Sequence, residues 1–98
     1  MDYAVALSAE LLTVTAASQR YTWPRASASI ILIASATNAD IVRVAMGPEA
    51  TAIALEDTDQ IVLEPGQQIA LNDYWTNGFA YIADGAGANT LRVVVTKR

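Results

Sequence analysis

The sequence predicts an all-β fold, an antiparallel and jelly-roll-like β-sandwich of about eight short strands. Apolar and β-branched residues occur in runs of about four to eight residues, a length and composition typical of strands. Turn-forming residues separate these runs along the chain. No segment keeps a helical spacing of apolar residues over three turns, so we do not expect helices to build the fold.

The predicted strands begin at residue 11 and end at residue 96. The first, at residues 11–16, alternates, with Leu12 and Val14 on one face; the second, at residues 29–34, is apolar on both faces. The remaining predicted strands lie at residues 41–46, 51–55, 60–64, 67–72, 79–83 and 90–96. Residues 4–12 contain good helix formers, which leaves a short helix there as an alternative.

Turn residues join these strands. In the segment 64–67, Pro65 presets φ and Gly66 accepts a positive φ, which together suit a type II turn. Asn77 followed by Gly78 is the strongest short hairpin signal in the chain. We expect further loops after Gly47 and at residues 84–89.

Length and charge predict one domain without a nucleic-acid or membrane partner. The 98 residues fit a single β-sandwich domain at residues 11–98, preceded by an N-terminal arm at residues 1–10. The net charge is −4 and the basic residues form no stripe, which argues against binding to a phosphate backbone. The longest uncharged stretch, at residues 26–39, has 14 residues and is too short to span a bilayer. The opening residues lack a basic secretion signal, so synthesis in the cytoplasm is expected.

The composition excludes most catalytic chemistry. The chain has no Cys and no His, which rules out thiol catalysis, a disulfide framework and the usual zinc sites. We therefore predict no catalytic residues, no cofactor and no metal. The acidic residues Glu56, Asp57 and Asp59 fit a solvated turn better than a calcium loop, since the Gly and the distal Glu of such a loop are missing. A carboxylate pair such as Glu10 and Asp40 leaves glycoside hydrolysis as the weakest hypothesis.

Large apolar residues at outward positions suggest an interaction surface. The outward side chains of a sandwich with one core are expected to be polar. Several outward positions instead pair with inward apolar neighbours and are apolar themselves, so we interpret them as a protein–protein interface. The alternative is that a loop or the strand twist buries both faces. The candidate interface residues are Ile31, Ile33, Val62, Ile82 and Val94.

Two aromatic groups lie beside turn signals. Tyr21 and Trp23 form the first group, and Tyr74 and Trp75 form the second. Aromatic platforms near loops stack sugars in some sandwich modules, so a glycan-binding module of a fibre or adhesin is an alternative function. Anchoring at the edge of the core or at an interface is the commoner role of Trp and Tyr in such domains.

Three segments also carry a family resemblance. Residues 37–47 lead from an Asn-Ala-Asp turn into a strand that ends in Gly, residues 61–69 form a strand, a Pro-Gly turn and a strand, and residues 79–95 form a closing hairpin. In style and order these segments resemble small tailed-phage virion proteins. The resemblance implies a non-enzymatic capsid decoration (cement) protein, or a related head or tail accessory protein, located in the virion. It also implies a homo-oligomer, with a trimer as one form, and the major capsid protein or other virion proteins as partners.

Overall fold

The computed structural model describes residues 5–23, 29–47, 60–72 and 77–97. Within these ranges the chain forms strands and turns, and it contains no helix. The described strands are β1 (Val5–Thr13), β2 (Gln19–Thr22), β3 (Ser29–Ala34), β4 (Val42–Met46), β5 (Ile61–Leu63), β6 (Gln68–Asn72), β7 (Gly78–Ala83) and β8 (Thr90–Lys97).

The strands form two antiparallel sheets of four strands each. Sheet A has the order β1-β8-β3-β6, and sheet B has the order β2-β7-β4-β5. The first described strand therefore pairs with the last, the second with the seventh, the third with the sixth and the fourth with the fifth. In this pairing the two halves of the chain run antiparallel to one another, as in one long hairpin, and the hairpin is folded so that its strands form two sheets. This is the arrangement of a double-sheet jelly roll. The predicted antiparallel, jelly-roll-like β-sandwich is confirmed.

Several boundaries differ from the predicted ones. β1 begins at Val5 and pairs with β8 from Val5 to Thr13, with a register shift between Ala6 and Ser8, so residues 5–10 belong to the sheet. Pairing with β8 also outweighs the helix propensity of this alanine-containing segment. β2 was not predicted, because a polar strand of four residues lacks an apolar run.

The predicted strand at residues 51–55 lies outside the described residues, as do Tyr74 and Trp75 of the predicted hairpin. Asn77 and Gly78 extend the pairing with β2, since the Trp23 N–H donates to the Asn77 carbonyl over 3.0 Å and Gly78 begins β7 opposite Thr22. The predicted closing hairpin at residues 79–95 is wrong, because β7 lies in sheet B and β8 in sheet A.

The core lies between the two sheets and follows the period-two alternation of each strand. In β3 the inward side chains of Ile30, Leu32 and Ala34 are buried, whereas the residues between them are partly exposed. β4, β7 and β8 contribute alternate residues to the same core, and β7 is also buried at the positions between them. The other buried apolar residues of this core are Leu12, Val14, Trp23, Val42, Val44, Leu63, Phe79, Tyr81, Ala83, Leu91, Val93 and Val95.

The turn between β5 and β6 has the predicted chemistry. The Gln67 N–H donates to the Glu64 carbonyl over 3.0 Å, which closes a four-residue turn. Gly66 has φ of +88°, the left-handed conformation that a type II turn requires at this position. The prediction for residues 64–67 is therefore confirmed.

An Asn–Asp network, formed by Asn38, Asp40, Gly87, Asn89 and Thr90, joins two loops at one end of the sandwich. Asn38 Nδ2 donates to the Thr90 carbonyl over 3.0 Å, and the Thr90 N–H donates to Asn38 Oδ1 over 2.8 Å. The Asp40 N–H donates to Asn89 Oδ1 over 2.8 Å, and Asn89 Nδ2 donates to Asp40 Oδ2 over 3.0 Å. The Gly87 N–H also donates to Asp40 Oδ2, over 2.9 Å. Two buried amides are thus satisfied, and the start of β8 is fixed relative to the end of β3.

Gly87 permits the close approach of the two loops. A Cβ atom at this position would lie 2.4 Å from the Cβ of Ala39 and 2.8 Å from Asp40 Oδ2. Any larger residue would therefore separate the loops that the Asn–Asp network joins.

We predict that Asn89→Ala lowers the free energy of unfolding by about 2 kcal/mol, because the half-buried Asp40 N–H loses its acceptor. Chemical denaturation measures this change. Thr37→Ala is the matched control: it lies in the partner loop, it is exposed, and its hydroxyl interacts with that of Ser35. The control should stay within about 0.5 kcal/mol of the native protein. Equal losses in both variants would contradict a structural role of the network.

Candidate interaction surface

The outer face of sheet A carries an apolar row that crosses all four strands. Ala9 lies opposite Val94, Val94 lies opposite Ile31, and Ile31 lies opposite Ala70. A second row crosses the sheet beside it, through Leu11, Arg92, Ile33 and Gln68 in register. We call the following set the sheet A surface: Ala9, Leu11, Ile31, Ile33, Gln68, Ala70, Arg92 and Val94.

Leu11 is the most exposed large apolar residue of this surface. It is 58% exposed, while its neighbour Leu12 points into the core. Ile31, Ile33 and Val94 are partly exposed, and Ala9 and Ala70 are exposed. The sheet A surface therefore presents branched aliphatic side chains in its centre and small ones at the two ends of its first row, a shape that allows another surface to approach closely.

Polar groups lie around this apolar centre. The hydroxyl groups of Ser29 and Thr96 form a hydrogen bond at one end of the face, and Thr13 lies opposite Thr90 at the other end. Arg92 is exposed between Leu11 and Ile33 and forms no ion pair with any residue that the structure describes. The surface thus has an apolar centre, a polar margin and one exposed arginine, which is a composition typical of protein–protein interfaces.

The outer face of sheet B is different, because two arginine side chains cover much of it. Arg20 Nη1 donates to the Gly47 carbonyl over 3.2 Å. A Cβ atom at Gly78 would lie 2.5 Å from Arg20 Nη2, so the guanidinium lies directly over this glycine. Ala80, which is opposite Arg20 in the sheet, is fully buried.

Arg43 covers the other half of this face. Its Nε donates to Asp84 Oδ1 over 2.6 Å and its Nη2 donates to Asp84 Oδ2 over 3.0 Å, a bidentate ion pair. The hydrogen bond to Asp84 raises the pKa of Arg43 above its ordinary value. Arg43 lies opposite Ile82 on one side and Val62 on the other.

The five candidate interface residues are therefore divided between two faces. Ile31, Ile33 and Val94 come together on the sheet A surface, as their shared outward position suggested. Val62 and Ile82 lie on the opposite side of the sandwich. Val62 is 44% exposed, but Ile82 is only 6% exposed, because its neighbour Arg43 is held over this face by Asp84. Ile82 is a buried residue in this chain and not an exposed interface residue.

The aromatic candidates that the structure describes belong to the core. Trp23 is 4% exposed, and its ring centroid lies 5.9 Å from that of Tyr21 and 6.0 Å from that of Phe79. Phe79 continues the cluster to Tyr81, with a centroid distance of 5.8 Å. Trp23 thus anchors one end of the core and has no open ring face for a sugar. Tyr74 and Trp75 lie outside the described residues.

Glu10 and Asp40, which sequence reasoning considered as a pair, lie in different parts of the fold. Asp40 lies in the Asn–Asp network, whereas Glu10 lies in β1 and its charge acts on Tyr81. Glu56, Asp57 and Asp59 lie outside the described residues. Among the residues with described positions, no three His, Cys, Asp or Glu side chains form a group suited to a metal ion. No helix in the described part of the chain is long and apolar enough to cross a membrane.

Five residues of the sheet A surface were missed by sequence reasoning: Ala9, Leu11, Gln68, Ala70 and Arg92. The alternation that places Leu12 inward also places Leu11 outward, so the outward position of Leu11 could have been predicted from the sequence. Arg92 and Ala70 carry no such signal, because their relation to Ile33 and Ile31 depends on the register of separate strands.

Comparison with known proteins gives no relative from which a function could be transferred. No model of a protein family matches the chain, and no curated protein matches it. The function must therefore be argued from the surface itself.

Tyr81 provides a test of the core beside Glu10. Burial raises the pKa of the Tyr81 hydroxyl above its ordinary value of 10.0, and the negative charge of Glu10 raises it further. Above about pH 10 the unfolded chain loses this proton while the folded chain keeps it, so the free energy of unfolding falls as the pH rises.

We predict that Tyr81→Phe removes part of this fall in the free energy of unfolding at alkaline pH, measured by chemical denaturation between neutral pH and pH 11. Glu10→Gln should remove a smaller part, and an unchanged slope in Tyr81→Phe would contradict the assignment.

Proposed function

We propose that this protein is a non-enzymatic structural subunit that binds a larger protein assembly through the sheet A surface. The observation that carries the proposal is the apolar row through Ala9, Val94, Ile31 and Ala70, with Leu11 beside it. These residues lie outside the core, so their side chains gain burial only when a second surface covers them.

The side chains of this row are well suited to binding. Ile31, Ile33 and Val94 are β-branched and stand on central strands, so their rotamers are largely fixed before a partner arrives. Little side-chain entropy is then lost on association, which leaves more of the burial energy for affinity. Arg92 adds one charge that selects a partner with a carboxylate opposite the apolar centre.

The assembly that we favour is the head of a tailed phage, where the protein would act as a capsid decoration or cement protein. Two points support this choice. Residues 37–47, 61–69 and 79–95 resemble segments of small tailed-phage virion proteins. The double-sheet jelly roll is also an architecture of viral capsid domains, although a shared fold is support by analogy only.

The mechanism of such a protein is mass action. A subunit that binds the assembled shell and not its free components stabilises the shell in proportion to its occupancy. We place the protein in the virion after synthesis in the host cytoplasm, with other copies of itself and the major capsid protein or another virion protein as partners. The glycan-binding alternative gains no support from the described aromatics, because Trp23 is buried and Tyr21 packs against it.

We predict that Leu11→Asp weakens binding to the shell at least about tenfold, because the apolar contact is lost and a carboxylate must be desolvated. Arg92 lies opposite this position, so the new carboxylate also competes with the partner for Arg92. The measurement is co-sedimentation with empty shells assembled from the major capsid protein of the genome that encodes this chain. Val62→Asp is the matched control: it places the same charge at an exposed apolar residue of an edge strand, on the opposite face. It should bind as the unchanged protein does.

Two outcomes would contradict the proposal. If the unchanged protein does not sediment with the shells, the proposed role in the phage head is wrong. If Val62→Asp loses binding while Leu11→Asp keeps it, the protein binds through sheet B and the sheet A surface is not the contact. Circular dichroism of both variants establishes that each retains its β structure.

A further inference from the structure

Among the strands that the structure describes, each sheet of the sandwich ends in two edge strands. Sheet A ends in β1 and β6, and sheet B ends in β2 and β5. An edge strand has a row of main-chain N–H and C=O groups without a partner strand, which can pair with another chain. Proteins usually prevent such pairing with charges, bulges or very short strands.

Three of these edges carry such features. β1 has an irregular register between Ala6 and Ser8, and it places the charged Glu10 on the core side, opposite Val93. β5 has three residues only. β2 has four residues, one of which is Arg20.

β6 carries none of them. It has five residues, Gln-Ile-Ala-Leu-Asn, with no charge and no proline. Its register with β3 is uninterrupted from Asn72 to Gln68. Gln68 and Ala70 are exposed, and no strand among the described residues pairs with the far side of β6.

The hydrogen bonds at the start of β6 show which main-chain groups face the open edge. The Ala34 N–H donates to the Gln67 carbonyl over 2.9 Å, so this pair is a hydrogen-bonded pair of the antiparallel ladder. Because such pairs alternate, Ile69 and Leu71 direct their main-chain groups toward β3. Gln68, Ala70 and Asn72 therefore direct theirs away from the sheet.

We infer that β6 pairs antiparallel with β6 of a second copy of this chain, around a two-fold axis at Ala70. In this arrangement position 70 faces itself, position 69 faces position 71, and position 68 faces position 72. Each facing pair joins residues of the same character: small, apolar and polar. The residues with outward main-chain groups form three pairs in this dimer: 70 with 70, 68 with 72, and 72 with 68. Each of these pairs exchanges two main-chain hydrogen bonds, about six in all.

The absence of charge on β6 is compatible with the same partner. The chain has a net charge of −4, so two copies repel one another over most of their surfaces. An uncharged strand is an edge at which two copies meet without opposing like charges. The pairing also joins the two apolar rows end to end through Ala70 and its counterpart, which doubles the sheet A surface. The inference adds a self-contact to the proposed function but does not need it, since β6 pairing requires no shell.

The first test uses two proline variants of one sheet. In Ala70→Pro the lost N–H faces the open edge, so the pairing with β3 is preserved while two bonds across the two-fold axis are lost. We expect the dimer dissociation constant to rise at least about tenfold. Ala9→Pro is the matched control. The Val14 N–H donates to the Asn89 carbonyl, so Val14 directs its main-chain groups toward β8. Because this direction alternates along β1, the Ala9 N–H points away from β8, and its loss leaves the pairing with β8 intact. Sedimentation velocity should show the control with twice the 10.4 kDa mass of one chain, as for the unchanged protein.

The second test uses the symmetry of the proposed axis. Ala70→Lys and Ala70→Glu each place two like charges opposite one another, so each variant alone should be monomeric. An equimolar mixture should form a dimer of one copy of each, which loss of folding cannot imitate. A monomeric unchanged protein at high concentration, a trimer, or a mixture that stays monomeric would each overturn the inference. Shell binding without dimers would leave the proposed function standing and this inference refuted.

Discussion

The pairing of β3 with β8 in the middle of sheet A determines which side chains form the core and which form the outer surface. Ile30 and Leu32 lie opposite Val95 and Val93 on the inner face, while Ile31 lies opposite Val94 on the outer face. Side chains alternate with a period of two, so a shift of one residue would exchange the two sets. Both sets are apolar in this protein, so burial of apolar area alone distinguishes the correct register poorly.

Polar groups at the two ends of this strand pair supply the missing specificity. Asn38 exchanges two hydrogen bonds with Thr90, the first residue of β8, and the hydroxyls of Ser29 and Thr96 meet at the other end. A shifted register would leave the buried Asn38 amide without these partners. The Asn–Asp network therefore allows strands that are apolar on both faces to keep one surface free for a partner. The stability of this sandwich and its proposed binding therefore depend on the same register.

The fold class could be predicted from the sequence because strand length, alternation and turn chemistry are local properties. The turn at Pro65 and Gly66 is of this kind, and so is the apolar character of β3. The exposure of an outward residue is not local. Ile31 and Ile82 have similar sequence surroundings, yet Ile82 is buried because Arg43, about 40 residues away, lies opposite it in the sheet. The burial of Trp23 likewise depends on Phe79, a residue on another strand.

The central claim is that the sheet A surface is covered by another protein in the functional assembly. Hydroxyl-radical footprinting of the free protein and of the particle-bound protein tests it most directly, because it reports the solvent exposure of individual side chains. We predict strong protection of Leu11, Ile31 and Val94 on binding, with the exposure of Val62 unchanged. Protection of Val62 without protection of Leu11 and Ile31 would contradict the claim.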